Sequence, residues 1–300
     1  PYRRQRQMCI RDSTENANSL VGDGRELDLL FQFDLMDMDG EGSKWNAIPL
    51  DVPKLKRIVA AWQGAIDWNT LFLGNHDQPR VVSRFGDTSS EELWKRSAKC
   101  LATLMYLQRG TPFIYQGEEL GMTNAPFETR EQLRDVEELN LLALCSSEAE
   151  LEWAWRGIKA KGRDNARTPM QWSAGANAGF TTGEPWIMLN PNYTDINAEA
   201  EEGDPDSVLN YYRALIALRD STPALLRGDW RELLPESGQV VAYTRGLDGE
   251  EYAVLCNLSR ESAPLPCRLG DFGEPVLSNM PADPAAEALR PYEAQVLKKG

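Results

Sequence analysis

Between residues 27 and 115, short apolar runs alternate with longer amphipathic ones, and this alternation narrows the possible folds more than any other feature of the 300-residue chain. Leu27 to Leu35 (LDLLFQFDL) has the length and character of a strand, and an acidic, glycine-containing loop follows over Met36 to Ser43. Val52 to Ile66 (VPKLKRIVAAWQGAI) reads as a helix: Pro53 suits its first turn, and Leu55, Ile58, Val59 and Trp62 recur at helical spacing. Thr70 to Leu73 is the next strand, Ser90 to Gln108 a helix with Ser90 as N-cap, and Thr111 to Tyr115 (TPFIY) a third strand. Strand–helix–strand–helix–strand at this spacing implies parallel strands joined by right-handed crossovers, hence an α/β fold.

Ligands and chemistry gather at the carboxyl ends of strands in such folds. The second strand runs out into Gly74-Asn75-His76-Asp77-Gln78-Pro79-Arg80, and His76 is the single histidine of the chain. A His beside an Asp serves as readily in a structural pair as in a site, so the surrounding sequence must decide. Residues 122–197 are too long for an ordinary connection and read as a lid or binding segment. They hold an acidic helical part (Glu128 to Leu144) and four tryptophans: Trp153, Trp155, Trp172 and Trp186. Asp206 to Asp220 is an amphipathic helix capped by Asp206 or Ser207. Beyond Thr222-Pro223 come short β-patterned runs: Trp230 to Leu234, Val240 to Arg245, Glu251 to Asn257, Ala263 to Leu269 and Ala294 to Lys298. Residues 223–300 therefore read as a small antiparallel β-sheet domain.

The net charge of −14 disfavours nucleic acid and anionic membrane partners, and leaves neutral, hydroxyl-rich substrates open. The sequence shows neither a membrane-length apolar run nor a signal peptide with a hydrophobic middle. Cys9, Cys100, Cys145, Cys256 and Cys267 are odd in number and form no C-x-x-C, which argues against zinc and against a disulfide framework; Cys256 and Cys267 are the one pair placed to close a hairpin. A reducing cytoplasm is the expected setting. Pro1 to Ser13 carries four Arg against one Asp and resembles translated sequencing-adapter sequence, so it reads as a non-native leader and the fold is taken from Thr14.

Three blocks, LFLGNHDQPRVVSRFGD, TPFIYQGEELGMTNAPF and RDNARTPMQWS, resemble the α-amylase superfamily of glycoside hydrolases. FQFDLMDMD, KWNAIPLDVPKLK, NAGFTTGEPW and DPDSVLNYYRALIALR narrow the likeness to the oligo-1,6-glucosidase, α-glucosidase and dextran-glucosidase group. The resemblance implies a (β/α)8 TIM barrel followed by an antiparallel β domain, with residues 14–222 supplying strands six to eight. By the same resemblance Asp77 is the third, transition-state-stabilising carboxylate, and His76 its companion on the substrate. Arg167 approaches that site, Lys44 and Glu137 border the next sugar position, and no metal or cofactor is implied.

Retaining glycoside cleavage also needs a nucleophile and an acid/base carboxyl about 5 to 5.5 Å apart. The nucleophile segment, of the form G-x-R-x-D, is absent from these residues, and the acid/base Glu belongs a few residues before Thr14; Glu15 lies in the wrong context. The expectation is the C-terminal half of an α-glucosidase for short isomalto- or malto-oligosaccharides, inactive alone, with an unpaired apolar edge on the Leu27 strand. Trehalose-phosphate hydrolases, trehalose synthases and sucrose isomerases share several blocks, and non-catalytic scaffold relatives share the fold. Two further candidates are read as structural, and a third stays open. Glu118 and Glu119 suit a helix start, Asp34, Asp37 and Asp39 a solvated acidic loop, and Trp172 and Trp186 serve equally as sugar platform or packing anchors.

Overall fold

A computed structural model describes residues 7–10, 14–21, 26–265, 269–281, 283 and 287–300. Cys267, which with Cys256 could have closed a hairpin, lies outside them. The first half alternates strand and helix: β1 (Gln7–Ile10), α1 (Thr14–Leu20), β2 (Leu29–Gln32), α2 (Val52–Ala65), β3 (Asn69–Leu71), α3 (Val81–Phe85), α4 (Glu91–Tyr106) and β4 (Gly110–Pro112). β1 and β2 pair in parallel from Gln7↔Leu29 to Ile10↔Gln32, and β3 and β4 from Asn69↔Gly110 to Leu71↔Pro112. Thr70 Oγ1 donates to Leu30 O at 2.7 Å and ties β2 to β3. Phe31 packs edge-on against Phe72 and Phe113, with ring centroids 5.0 and 4.7 Å apart. The four strands thus form one curved sector in chain order, as parallel crossovers require.

Two sequence-based expectations change here. The Leu29–Gln32 edge is covered, because the backbone of Gln7–Ile10 completes a ladder on it. That strand falls inside the segment read as a leader; a count of charges carries no information about which backbone groups will pair. The strands are also shorter than the apolar runs, since Asp34 and the following turns already belong to the loop.

The helices follow their local signals closely. Asp51 caps α2 by accepting Lys54 N–H at 2.8 Å, and Ser90 caps α4 by accepting Leu93 N–H at 3.2 Å. Residues 122–197 are more regular than expected. They contain α5 (Val136–Leu144), α6 (Glu148–Lys161) and α7 (Asp164–Arg167), packed on a small core of Phe127, Leu133, Leu142, Ala154, Ile158 and Ile187. α8 (Ala198–Gly203), α9 (Val208–Ser221) and α10 (Pro223–Arg227) lead out of the barrel sector. Ser207 rather than Asp206 caps α9, accepting Asn210 N–H at 3.1 Å.

The C-terminal strands are β5 (Asp229–Leu233), β6 (Val240–Leu247), β7 (Glu250–Asn257), β8 (Ala263–Pro264), β9 (Phe272–Ser278), β10 (Ala288–Leu289) and β11 (Ala294–Lys299). Five of them form an antiparallel sheet in the order β5-β6-β7-β11-β9, and β8 pairs with β10. β9 has no counterpart in the sequence reading. Gly273 and Pro275 break its pattern, and a proline is tolerated because β9 is an edge strand whose register against β11 slips twice.

One hydrophobic core joins the two parts, with Leu101, Leu104 and Tyr106 of α4 meeting Val241, Tyr243, Val254 and Val296 of the sheet. The buried carboxyl end of α4 needs partners for its last carbonyls. Arg219 Nη1 donates to Tyr106 O and Gln108 O, both at 2.8 Å. Arg245 Nη1 donates to Leu107 O at 2.5 Å and to Leu225 O at 2.7 Å, and its Nη2 to Gly228 O at 2.9 Å. Tyr243 Oη donates to Leu104 O at 3.0 Å. Positive charge at a helix carboxyl end also complements its dipole.

Candidate active site

β3 runs through Phe72 and Leu73 into Gly74, where a side chain would press within 2.8 Å of Val81, so the chain turns there on a glycine. Asn75 shapes the loop by accepting Asp77 N–H on Oδ1 at 2.8 Å. Arg80, almost wholly buried, pins the loop's far end. Its backbone N–H reaches Asn124 Oδ1 at 2.8 Å, its Nε reaches Asn165 O at 3.1 Å and its Nη1 reaches Gln116 O at 2.7 Å. Burial draws this guanidinium down to a pKa of about 10, against the nearby Tyr115, Glu119 and Glu118. The loop after β3 is thereby locked to the loop after β4 and to α7.

His76 stands exposed at the tip, its Nε2 3.3 Å from Asp77 Oδ2. Asp77 Oδ1 accepts Arg167 Nη2 at 2.8 Å, and Arg167 Nε donates to His76 O at 3.0 Å. Arg167 continues through Nη1 to Asp135 Oδ2 at 2.5 Å. Asp135 binds the fork of Arg163 at 2.8 and 3.0 Å, and Arg163 Nε lies 3.4 Å from Glu137 Oε2. Glu137 accepts Lys44 Nζ at 2.5 Å, and Lys44 sits over the Trp45 ring.

Lys44, His76, Asp77, Glu137 and Arg167, five residues spread over 124 positions of sequence, therefore lie on one ladder of alternating charge. Its two middle members, Asp135 and Arg163, were not singled out by sequence. Arg163 and Arg167 are four residues apart and project from the same side of a single helical turn, and that spacing was the available signal. Asp135 carried another, as the residue just before a helical run: it caps α5 by accepting Glu137 N–H at 2.8 Å.

Buried groups hold the ladder from beneath. The side chain of Asp135 is 1% exposed. Burial alone would raise its pKa, but the Arg163 hydrogen bond, the Glu137 N–H and the charges of both arginines hold it below the ordinary carboxylate value. Asp164 Oδ2 accepts the N–H groups of Arg134 at 2.6 Å and Asp135 at 2.9 Å. Glu138, fully buried, accepts Asp164 N–H at 3.0 Å. Burial pushes Glu138 up to about 8; the Asp164 N–H works against the rise, and the Asp164 and Asp135 charges add to it. Glu138 is therefore largely protonated at neutral pH.

The acidic loop beside this ladder differs from the solvated one expected. Asp39 is buried and paired with Arg84 Nε at 2.8 Å and Lys161 Nζ at 2.6 Å, partners that lie far along the sequence. Asp34 accepts Trp62 Nε1–H at 2.7 Å. Met36, Asp37, Gly40, Ser43 and Lys161 line an open groove with Lys44 and Glu137. Glu118 lies beneath the loop in a tight 3-10 turn, bonded by the hydroxyls of Tyr106 at 2.5 Å and Tyr212 at 2.9 Å. Trp172 and Trp186 are 52% and 55% exposed, so neither is a packing anchor.

The model of the α-amylase catalytic domain matches residues 9–228. A probable oligo-1,6-glucosidase of Bacillus subtilis is 44% identical over 287 residues, an alignment covering 91% of this chain and 51% of the relative. The trehalose-6-phosphate hydrolase structure from Bacillus licheniformis superposes with a TM-score of 0.90 at 36% identity, over 97% of this chain and 55% of that one. The trehalulose synthase structure from Pseudomonas mesoacidophila MX-45 gives 0.82 at 42% identity, over 92% of this chain and 51% of that one. The chain spans about half the length of the relatives it matches. Among the described residues, no helix is long and apolar enough to cross a membrane.

Proposed function

The chain belongs to the α-amylase family, and on that premise we propose that it supplies the substrate-binding and charge-stabilising half of a retaining α-glucosidase for short isomalto- or malto-oligosaccharides. The observation that carries this reading is the ladder itself. Its six ionic members, Asp77, Arg167, Asp135, Arg163, Glu137 and Lys44, contribute three positive and three negative charges in alternation. Such a site presents hydrogen-bonding groups to a neutral sugar while leaving no charge unmatched.

Asp77 is the catalytic carboxylate of this half. As the anomeric carbon gains oxocarbenium character, a carboxylate gripping the ring hydroxyls binds the transition state more tightly than the ground state. The Arg167 guanidinium fixes the rotamer of Asp77 through a 2.8 Å bond. His76, exposed beside it, donates to the same hydroxyls. Lys44 and Glu137 face the second sugar. The attacking and proton-donating carboxyls that the reaction also needs are supplied by the rest of the intact enzyme. A cytoplasmic setting fits the free thiols of Cys100, Cys145 and Cys256.

A phosphorylated disaccharide is the second reading, favoured by the 0.90 TM-score to a trehalose-6-phosphate hydrolase. The charge balance argues against it, because a phosphate dianion would meet no unmatched cation on the ladder. Kinetics of the intact enzyme on isomaltose, maltose and trehalose 6-phosphate test both readings. Asp77→Asn should lower kcat on isomaltose by a factor on the order of 10² to 10³, comparable to removing one preorganised charge-stabilising group. Turnover of trehalose 6-phosphate alone would replace the first reading with the second. An Asp77→Asn enzyme of undiminished kcat would remove Asp77 from the mechanism.

A further inference from the structure

Among the described residues of the ladder, Arg163 is the cation that lies near both Asp77 and Glu137. Its Nε and Nη2 grip Asp135 at 2.8 and 3.0 Å, its Nε lies 3.4 Å from Glu137 Oε2, and its Nη1 lies 3.6 Å from Asp77 Oδ1. Asp77 serves the first sugar position and Glu137 the second, and between them stands one rigid, planar cation. Asp135 holds that cation from behind and is itself immobilised, being buried and hydrogen-bonded by the N–H of Glu137. Asp77 keeps its 2.8 Å bond to Arg167 whatever happens at Arg163. Glu137 has no such second brace: its other ion pair is with Lys44, and both of those side chains are more than a third exposed. A half-exposed lysine pair holds geometry weakly, since water competes for both partners.

We propose that Arg163 is a positioning residue that sets linkage preference, by fixing the separation between the Asp77 carboxylate and the Glu137–Lys44 pair. This rests on the reading that these two sites hold successive sugars. The chemistry behind it is one of length. An α-1,4 bond joins two rings directly through a ring carbon, whereas an α-1,6 bond passes through an exocyclic methylene that adds a rotatable bond and displaces the second ring. A spacer of fixed span favours one of these offsets, and one methylene of mismatch is worth roughly 10- to 200-fold in kcat/KM. Arg163 has the properties of such a spacer. It is planar, permanently charged and locked by two hydrogen bonds to one carboxylate.

The test compares wild type, Arg163→Gln and Arg163→Lys of the intact enzyme on isomaltose, maltose and p-nitrophenyl α-glucoside. The last substrate has no second sugar. Arg163→Gln should shift the isomaltose-to-maltose ratio of kcat/KM by about tenfold or more, mainly through KM, and should lose less kcat/KM on the aryl glucoside than on the more strongly affected disaccharide. Arg163→Lys, which keeps charge but loses the fork, should recover part of the ratio. Should Arg163→Gln not fold, the ratio in Arg163→Lys decides alone, being displaced if the proposal holds. Equal losses on all three substrates, or an unchanged ratio, would overturn it. A wild type that cleaves none of the three would instead overturn the underlying reading, so the two failures are distinguishable.

Discussion

Arginines organise two regions of this molecule in opposite ways. At the junction of the barrel sector and the β domain, Arg219 and Arg245 are buried and donate to backbone carbonyls of Tyr106, Leu107, Gln108 and Gly228. Along the ladder, Arg163 and Arg167 are about a quarter exposed and donate to carboxylates. The electrostatic consequences diverge. Burial draws Arg245 down to about 10, with Tyr243 opposing the shift, whereas the Asp135 hydrogen bond pushes Arg163 above its ordinary value. A cation matched by dipoles closes an interior surface. One matched by carboxylates, with one side left open to water, can be shared with an incoming hydroxyl. Residue type is the same in both places, and the acceptor decides what it does.

The largest expected effect would break the comparison on its structural side. Arg245→Met keeps the volume but removes the side-chain donors to Leu107 O and Gly228 O and leaves Leu225 O only a 3.5 Å bond from Arg219, and should cost roughly 3 to 5 kcal/mol in urea unfolding. A loss below about 1 kcal/mol would mean that these carbonyls do not depend on it.

A pH titration comes next, and it probes the support beneath the ladder. Glu138 is raised from 4.5 to about 8, and Glu118 and Glu201 to about 7, in each case chiefly by burial. The folded chain therefore holds protons that the unfolded chain has released above pH 4.5. Their contribution is complete below pH 4.5 and is lost as pH rises through 7 to 8, by roughly a few kcal/mol at about 1.36 kcal/mol per pKa unit. Asp135 and Asp39 act in the opposite sense. Held below 3.8 by their arginine and lysine partners, they withdraw stability as pH falls through that range. Glu138→Gln should flatten the alkaline limb in thermal melts at pH 5 to 9, and an unchanged limb would clear Glu138 of that role.

Asp135→Asn tests the ladder itself. Asparagine caps α5 as well as aspartate does, so the change isolates the charge shared by two arginines and should cost about 1 to 3 kcal/mol. The loss should be smaller in 1 M salt than in 0.05 M salt if exposure matters as argued. The smallest effect belongs to Lys44→Met, where the half-exposed pair with Glu137 should contribute about 0 to 1 kcal/mol to unfolding. A larger stability loss there would make Lys44 structural and blur the contrast between the regions.

The sequence exposed what depends on near neighbours. The strand that leads into Asn75-His76-Asp77, the caps Asp51 and Ser90 and the helical stripe of α2 all follow from residues a few positions apart. Lys44, Glu137 and Arg167 came only through family resemblance, because the contacts that unite them span 93 and 91 residues. Asp39 reads as a solvent-facing acid until Arg84 and Lys161 arrive from 45 and 122 positions away. Arg163 shares a helical face with Arg167, but that spacing names none of the distant carboxylates it meets. The β1 ladder was hidden for a different reason: backbone pairing is blind to the arginine-rich composition on which that segment was judged.

The buried end of α4 has a consequence for the order of synthesis. Tyr106 O waits for an arginine 113 residues later in the chain, and Leu107 O for one 138 residues later. At ribosomal rates of roughly 5 to 20 residues per second, the second interval lasts on the order of ten to thirty seconds. Throughout it, the carboxyl end of α4 must stay hydrated or be sheltered by a chaperone. The barrel sector can gather early, but its seal is delivered by the β domain.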